Sequence, residues 1–248
     1  AILTRVAKSH IRFGTFQFLA AHKDYESMSQ LLDYSIERHF QINKITTNKA
    51  LGFIEAVMAR QIDLIIHWMR VGFIHGVMNT DNSTISGETI DYGPYGYLDD
   101  FNPDWTPNTT DSAHRRYRYS NQPGIAQWNL MQLANALLPL VGDSKPFEEE
   151  LSKFAQIYQS KWENMMARKL GLKKFKEGLT QSLLTQLSAI EIDMTIFFQR
   201  LSLVSGAGGD PIAPLKDAFY NPVEASGNHG DELREWVKCY LSEIRDQG

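Results

Sequence analysis

Apolar residues recur every three or four positions through most of the chain, and this spacing predicts a mainly α protein. The pattern predicts one helix over residues 23–40. It also predicts a long central helix that starts at a Thr47–Asn48 cap and ends near Val71. Further helices are predicted over residues 125–138, 146–170, 177–203 and 231–245, with a short one near Leu215.

One segment predicts β structure instead. The residues from Ser83 to Ile90 are short and β-prone, and Ser86–Gly87 offers a turn, so we expect a small β-hairpin there. This hairpin would hold Asn82 and Asp91 at neighbouring ends of paired strands. Their side chains would then meet at one point.

A long irregular stretch, residues 92–124, follows the predicted hairpin and is rich in Gly, Pro, Asn, Asp and Tyr. Loops of this length in compact domains are usually functional or disordered, and the aromatic residues favour an ordered one. The sequence SGAGGDP at 205–211 is a second break. We expect one continuous domain in which residues 1–140 carry the chemistry and residues 141–248 form a helical extension packed on them.

Composition narrows the function classes. The 248 residues are 43% apolar and 22% charged, as in an ordinary globular protein. The formal net charge of −4 argues against a nucleic-acid partner, because dedicated nucleic-acid binders are usually basic. The single cysteine, Cys239, excludes an internal disulfide. Charged residues such as Arg60 and Asp63 interrupt the longest apolar runs, so we expect no membrane span.

The candidate chemistry is concentrated in residues 71–104. Asn82 and Asp91 offer the hard oxygen ligands that hold a divalent metal against a nucleotide triphosphate. In protein kinases such ligands occur in H-R-D-x-x-x-x-N followed by D-F-G. In this frame His75 matches the His, Asn82 the metal-binding Asn, and Asp91–Gly93 the D-F-G. Val77 stands where the catalytic Asp should be, so the kinase base is missing.

Asp81 is the nearest carboxylate that could replace the missing base, since it lies beside Asn82 and could orient or deprotonate a hydroxyl. It could equally anchor the loop. His75 is expected to have a structural role. Arg5 and Arg12 have guanidinium groups suited to phosphate, and their seven-residue spacing would place them on one face of a helix. Gly14 would allow the backbone to approach a phosphate closely.

Four segments occur in collinear order within roughly the first 140 residues: RVAKSHIRFGTFQ, HGVMNTDN, TIDYGPYGYLDDF and, at 119–130, YSNQP-x-x-x-x-WNL. Together they resemble the selenoprotein O (SelO/YdiU) family. The resemblance implies a protein-kinase-like fold whose usual catalytic Asp is absent, a pseudokinase, which agrees with Val77. The implied activity is transfer of AMP from a flipped ATP to Ser, Thr or Tyr hydroxyls of proteins. Some bacterial members are described as transferring UMP with manganese.

The resemblance also implies roles for individual residues. Asp81 matches the catalytic base, and Asn82 and Asp91 match the ligands of Mg²⁺ or Mn²⁺. Arg5 and Arg12 match the arginines that hold the turned-in γ-phosphate of ATP. The implied partners are protein substrates, and the implied compartment is the cytoplasm for a bacterial protein or the mitochondrion for a eukaryotic one.

Parts of the family pattern are not found in this chain. The glycine-rich loop, the β3 lysine and its glutamate would lie before Ala1, and the chain begins without Met. We therefore expect a cut or processed N-terminus and a kinase-like C-lobe without its N-lobe, which binds nucleotide poorly when alone. Two other functions stay open. One is a non-catalytic pseudokinase module, and the other is a small-molecule phosphotransferase, which would be expected to carry an Asp at position 77.

Overall fold

The computed structural model describes residues 2, 4–40, 48–205 and 208–247, and this part of the chain is mainly helical, as predicted. Thr47 of the predicted cap and residues 206–207 of the predicted break lie outside the described residues. The α-helices of the described part are α1 Phe13–Ala21, α2 Tyr25–His39, α3 Lys49–Val71, α4 Gln122–Val141, α5 Lys145–Ser152, α6 Phe154–Lys169, α7 Glu177–Ala189, α8 Met194–Leu201 and α9 Asn228–Arg245.

The central helix α3 confirms the prediction from spacing. The Asn48 side chain caps it by accepting the N–H of Leu51 at 3.2 Å. Gly72, in the left-handed conformation with φ 73°, ends it. Its apolar face packs against α4 and α6. Helices α2 and α9 also match their predicted ranges to within a few residues. None of the helices in the described residues combines the length and hydropathy that crossing a membrane requires.

Three predicted helix bounds are wrong. The range 146–170 is divided into α5 and α6 at Lys153. The range 177–203 is divided by residues 190–193, whose extended backbone pairs with other segments instead of continuing the helix. Asp193 then caps α8 by accepting the N–H of Ile196 at 2.7 Å. The break predicted at Pro139 falls later, because α4 continues through Pro139 and ends at Gly142.

The predicted hairpin over residues 83–90 is also wrong, and so is its placement at the metal site. The described residues contain one two-stranded sheet, in which β1 (Phe73–Ile74) pairs antiparallel with β2 (Gly96–Tyr97). Residues 84–88 form a turn in which the Thr84 hydroxyl donates to the Glu88 carbonyl and accepts the Glu88 N–H. The backbone of residues 83–85 bonds to the N-terminal segment rather than to itself.

The buried apolar side chains form two large clusters and a small one between them. The first cluster is built by α1 to α6 around α3, and the second by the end of α6 and α7 to α9. The small cluster joins the sheet to the start of α8 and consists of Ile74, Leu98, Tyr119 and Met194. The loop that carries the candidate chemistry therefore lies on the first core, close to the boundary between the two.

Candidate functional site

The N-terminal segment, residues 5–14, runs antiparallel along residues 81–92, and this pairing organises the site. Three hydrogen bonds fix the register: Phe13 N–H to Ser83 O at 2.9 Å, Ile85 N–H to Ile11 O at 3.1 Å, and Lys8 N–H to Glu88 Oε2 at 3.0 Å. The segment before Arg12 is extended, so the expectation that Arg5 and Arg12 share a helix face is wrong. The pairing still brings both arginines to the loop.

Arg12 contacts Asp91 directly. Its Nη2 donates to Asp91 Oδ1 at 3.0 Å and lies 2.9 Å from Oδ2, so one guanidinium nitrogen engages both carboxylate oxygens. Asp91 adopts the left-handed backbone region with φ 53°, which few non-glycine residues enter, although Asp does so more readily than most. The Arg12 Nε is buried and has no acceptor among the described residues. Arg12 therefore retains an N–H group that could donate to a further acceptor, beside the predicted metal ligand Asp91.

Arg5 lies against Tyr92, the residue that follows Asp91. Its guanidinium carbon stands 3.8 Å from the centroid of the Tyr92 ring, a cation–π contact at close range. Arg5, Asp91 and Tyr92 line a cleft of about 840 Å³, with His10 and residues 87–90 forming more of its wall. A cleft of this size is sufficient for a nucleotide-sized ligand.

The Asp81 carboxylate lies against the first turn of α1. A Cβ built on Gly14 would fall 1.9 Å from Asp81 Oδ1, so the space that a side chain would need is taken by this carboxylate. Anions are favoured near a helix N-terminus. Asp81 is exposed, and its carboxylate makes no hydrogen bond or ion pair within the described part of the chain. It is the predicted site carboxylate that the fold leaves without a partner.

Asn82 follows in a 3₁₀ turn, Thr80–Asn82, whose N-terminus is capped by the Asn79 side chain. Its Nδ2 donates to the Val77 carbonyl at 2.9 Å, which fixes the plane of the amide. Its Oδ1 accepts no hydrogen bond from the described residues, so this oxygen is free to act as a ligand. No hydrogen bond joins Asn82 to Asp91 across the described loop.

His75 is buried beneath the loop and holds its far end. Its Nε2 donates to the Ile90 carbonyl, next to Asp91, at 2.8 Å, and its Nδ1 accepts the Val77 N–H at 3.4 Å. Burial lowers the pKa of His75, and the two hydrogen bonds fit a neutral ring with its proton on Nε2. The prediction of a structural role is confirmed by these contacts.

Sequence reasoning missed a set of buried amide side chains that hold the carbonyl groups of the loop. Gln61, Gln122 and Asn129 are polar residues on the apolar faces of α3 and α4, which is the signal that could have identified them, whereas Asn108 lies in the irregular stretch and carries no such signal. Their bonds are Gln122 Nε2 to Phe73 O at 2.9 Å, Asn129 Nδ2 to Met78 O at 2.9 Å, Asn108 Nδ2 to Gly76 O at 3.0 Å and Gln61 Nε2 to Thr84 O at 2.7 Å. Gln122 Oε1 also accepts the His75 N–H at 3.1 Å.

The donor atoms of the loop suit a hard divalent cation. Mg²⁺ and Mn²⁺ prefer carboxylate and amide oxygens, and Mg²⁺ usually takes one or two protein carboxylates while water and phosphate complete the shell. Asn82 Oδ1 and the Asp91 carboxylate are of that type, and Asp81 precedes Asn82 in the sequence. Within the described residues, no group of three or more His, Cys, Asp or Glu side chains could hold a metal ion. A metal here would thus depend on Asn82 and on ligands from outside the protein.

Comparison with known proteins agrees with the sequence motifs. A family model described as "Protein adenylyltransferase SelO" matches residues 1–247. The chain is 43% identical, over 98% of its length, to "Protein nucleotidyltransferase YdiU" of Rhodopirellula baltica. Proteins of the same name from Azoarcus sp. and Flavobacterium johnsoniae are 44% and 42% identical over 100% and 98% of the chain. The chain spans about half the length of these relatives, 49%, 48% and 48% respectively. The match runs through both cores, and the chain belongs to the SelO family.

Proposed function

We propose that this chain carries the metal-binding and phosphate-binding part of a protein adenylyltransferase, which moves AMP from ATP to Ser, Thr or Tyr hydroxyls of other proteins. The observation that carries the proposal is the unpartnered Asp81 carboxylate, held against Gly14 and next to Asn82. The family match over residues 1–247 supports it. In this proposal the fold is the C-lobe of a kinase-like protein, and the rest of the nucleotide site lies outside this chain.

The two arginines are assigned to the phosphates. Arg12 pairs with Asp91 and Arg5 stacks on the neighbouring Tyr92, and guanidinium groups form strong, directional hydrogen bonds with phosphate. Arg12 is paired with Asp91 in this structure. We infer that Arg12 exchanges this carboxylate for a phosphate when nucleotide binds, and that Asp91 then becomes available to the metal. Both side chains are about one-third exposed, so the exchange leaves no deeply buried charge unpaired.

Asn82 and Asp91 are assigned to the metal, and Asp81 to the incoming hydroxyl. A divalent metal held there would neutralise phosphate charge in the transition state. Asp81 orients the hydroxyl and accepts its proton as the oxygen bonds to the α-phosphorus. The bond from that phosphorus to the bridging oxygen breaks, pyrophosphate leaves, and AMP stays on the hydroxyl. Positioning and charge supply most of the catalysis.

The test uses ATP labelled at either the α- or the γ-phosphate. With Mg²⁺ or Mn²⁺ present, we expect only the α-label to enter protein. The transfer should be strong with a full-length relative and weak with the chain alone, because this proposal places part of the nucleotide site outside the chain. Asp81→Asn should lower transfer at least about a hundredfold, as removal of a general base does. Asp33→Asn is the matched control, because Asp33 is an exposed carboxylate on α2 that pairs with Lys49. Label that enters protein only from the γ-phosphate would overturn the proposal in favour of kinase chemistry.

Gly14→Ala separates the position of Asp81 from its charge. The added Cβ would fall 1.9 Å from Asp81 Oδ1, so the exposed carboxylate must move, while alanine suits the helix. We expect transfer to fall at least about tenfold with an unchanged melting temperature. Unchanged transfer in this variant would contradict the assignment of Asp81 as the base.

Two alternatives have their own support. Uridylyl transfer would use the same residues, and labelled UTP in place of ATP, with Mn²⁺, discriminates it. A non-catalytic nucleotide-binding module is favoured by Val77 at the kinase base position and by the Arg12–Asp91 ion pair, which occupies a predicted metal ligand. It predicts nucleotide binding by calorimetry with no label transferred from any position, and an unchanged biological output for Asp91→Ala.

A further inference from the structure

A second cavity lies where the two cores meet, between Trp162 of the first core and Phe198 of the second. Its volume is about 360 Å³, within the range of ligand pockets. Its wall is almost entirely apolar or aromatic, with contributions from α3, α6, α7, α8 and the 92–124 loop. The side chains that define it best are Met69, Phe101, Trp162, Leu184 and Phe198. None of these residues takes part in the site proposed for transfer.

One charged group, Lys169, enters this apolar wall. Its Nζ stands 4.1 Å from the centroid of the Phe198 ring and donates to the Arg70 carbonyl. No carboxylate pairs with it in the described part of the chain. Burial, together with the nearby positive charge of Arg70, lowers the pKa of Lys169 to about 8. A half-buried ammonium group without a counter-ion is costly, and an anion in the cavity would offset that cost.

A groove of about 540 Å³ adjoins the cavity, and the two share Met165 and Lys169 in their walls. The groove also presents Arg70 and Arg168, and neither has a carboxylate partner among the described residues. Its one acidic residue, Asp63, is neutralised by an ion pair with Lys161. Three cations without a carboxylate partner thus line the groove beside an apolar cavity, in a chain whose formal net charge is −4.

We propose that the cavity and the groove bind a single-chain anionic amphiphile, an alkyl carboxylate of medium or long chain. Its carboxylate would accept hydrogen bonds from Lys169. Arg70 and Arg168 in the adjoining groove would add positive charge that attracts it. Its alkyl chain would lie among Trp162 and Phe198. Charge complementarity selects an anionic headgroup, and the apolar wall selects a hydrocarbon tail over a polar nucleotide or sugar.

Calorimetric titration of the chain with butanoate, octanoate and dodecanoate, each below its micelle concentration, tests the proposal. Each buried methylene contributes about 0.8 kcal/mol, or roughly a fourfold gain in affinity. Dodecanoate should therefore bind one-to-one and at least about tenfold more tightly than octanoate, and butanoate should not bind measurably. Dodecyltrimethylammonium, which has a similar tail and the opposite charge, should bind at least about tenfold more weakly than dodecanoate.

Variants locate the site. Lys169→Met keeps the length of the side chain without its charge and should weaken dodecanoate binding at least about tenfold. Lys169→Arg should retain most of the affinity. Leu184→Trp should fill the cavity and abolish binding while all three cations remain. Lys153→Met is the control, because Lys153 is an exposed lysine that pairs with Glu150 away from the cavity. Thermal unfolding verifies that each variant is folded before titration.

Fluorescence gives an independent readout, since Trp162 lines the cavity. A bromine-labelled dodecanoate should quench tryptophan emission in the wild type, and Trp162→Phe should lose most of that quenching. Affinity that is unchanged in folded Lys169→Met, or independent of chain length, would overturn the proposal. So would binding only to anionic phospholipid vesicles with none to free dodecanoate, because that result would indicate a membrane-contacting surface instead of a cavity ligand.

Discussion

The loop from β1 to Asp91 and the helical region from α7 to α9 are stabilised in opposite ways. The loop is largely buried yet has little regular backbone, so its carbonyl groups depend on side-chain donors such as Gln122, Asn129 and His75. In the helical region the helices satisfy their own backbone. The interior there is hydrocarbon, with Leu187 and Phe197 fully buried, and charged groups lie on the rim.

The difference shows what each region is sensitive to. A region packed by hydrocarbon loses stability when volume is removed, and tolerates swaps that keep it. A region held by buried hydrogen bonds loses stability when a donor is removed, even when the volume is kept. The loop that carries the candidate site belongs to the second kind, and this would suit the role proposed for the unpartnered Asp81 carboxylate.

The largest expected effect is in the hydrocarbon region. Phe197→Ala removes a fully buried ring from the second core and should lower the free energy of unfolding by about 3–5 kcal/mol. Denaturant unfolding measures it. Phe197→Leu keeps much of the apolar volume and should cost less than half as much. Equal losses for the two variants would contradict the comparison, because they would show that lost apolar volume does not determine the stability of the second core.

Gln122→Leu makes the converse change in the loop region. It conserves volume but leaves the Phe73 carbonyl and the His75 N–H buried without partners. Each orphaned group costs about 1–3 kcal/mol, and the buried carbon atoms of leucine recover part of the total, so we expect a net loss of about 2–4 kcal/mol in the same denaturation assay. Gln199→Leu, at an exposed position on α8, is the matched control and should stay within about 0.5 kcal/mol. A loss for Gln122→Leu as small as the control's would show that hydrogen bonds do not hold the loop.

The same contrast explains which parts of the fold were predictable. Helices such as α2, α3 and α9 were found from spacing because a helix closes its own hydrogen bonds and needs only an apolar stripe. Breaks at Lys153 and at residues 190–193 were missed. At the second of these, the backbone pairs with Phe219 and Asp100, segments far away in the sequence.

The motif singled out the candidate site residues, which stay predictions, and their geometry could not be derived from it. The kinase-like frame singled out Asn82 and Asp91 without knowledge of the fold. The pairing of Arg12 with Asp91 could not be foreseen, because it requires the N-terminal segment to take the backbone partners that a local hairpin would have used. The role of Gln122 was hidden for a similar reason, since it bonds to a residue 47 positions away.

A pH titration sharpens the comparison at His75. Burial lowers its pKa in the folded state below the unfolded value of 6.5, so the unfolded chain binds more protons once the pH falls below about 6.5. The neutral His75 ring therefore leaves the folded state at its full stability above about pH 6.5. Stability is lost as the pH falls from there towards the folded pKa of His75. The free energy of unfolding should therefore decline, by at most about 1.4 kcal/mol per pH unit for one proton.

His39 tests whether the effect belongs to the loop. Its pKa is lowered too, by burial and by the charges of Arg38 and Arg60, but it lies at the end of α2, outside the loop. Denaturation of His75→Gln and His39→Gln between pH 7.5 and 5.5 separates the two. We expect each variant to have a shallower pH slope than the wild type. A wild-type slope in His75→Gln would contradict the neutral, buried ring described for the loop.

The helical region has its own titrating group on its rim. Asp210 accepts two hydrogen bonds from Arg234, at 3.0 and 3.2 Å, and is 3.1 Å from Lys216 Nζ. Hydrogen bonding to Arg234, with further contributions from Lys216 and the Ile212 N–H, lowers the pKa of Asp210 to about 2. The pair ties the segment before the 3₁₀ helix Ala213–Ala218 to α9.

Asp210→Asn should have the smallest of these effects, a loss of about 1 kcal/mol at neutral pH, because the pair is partly exposed and screened by solvent. The folded pKa lies below the unfolded 3.8, so the wild type keeps this stabilisation above about pH 4 and loses it as the pH falls towards 2. Denaturation should show the two proteins converging in that range. Asp217→Asn, at a more exposed partner of Arg200, should change stability by less than about 0.5 kcal/mol. A loss of several kcal/mol in Asp210→Asn would mean that polar contacts, and not hydrocarbon, hold this region as they hold the loop.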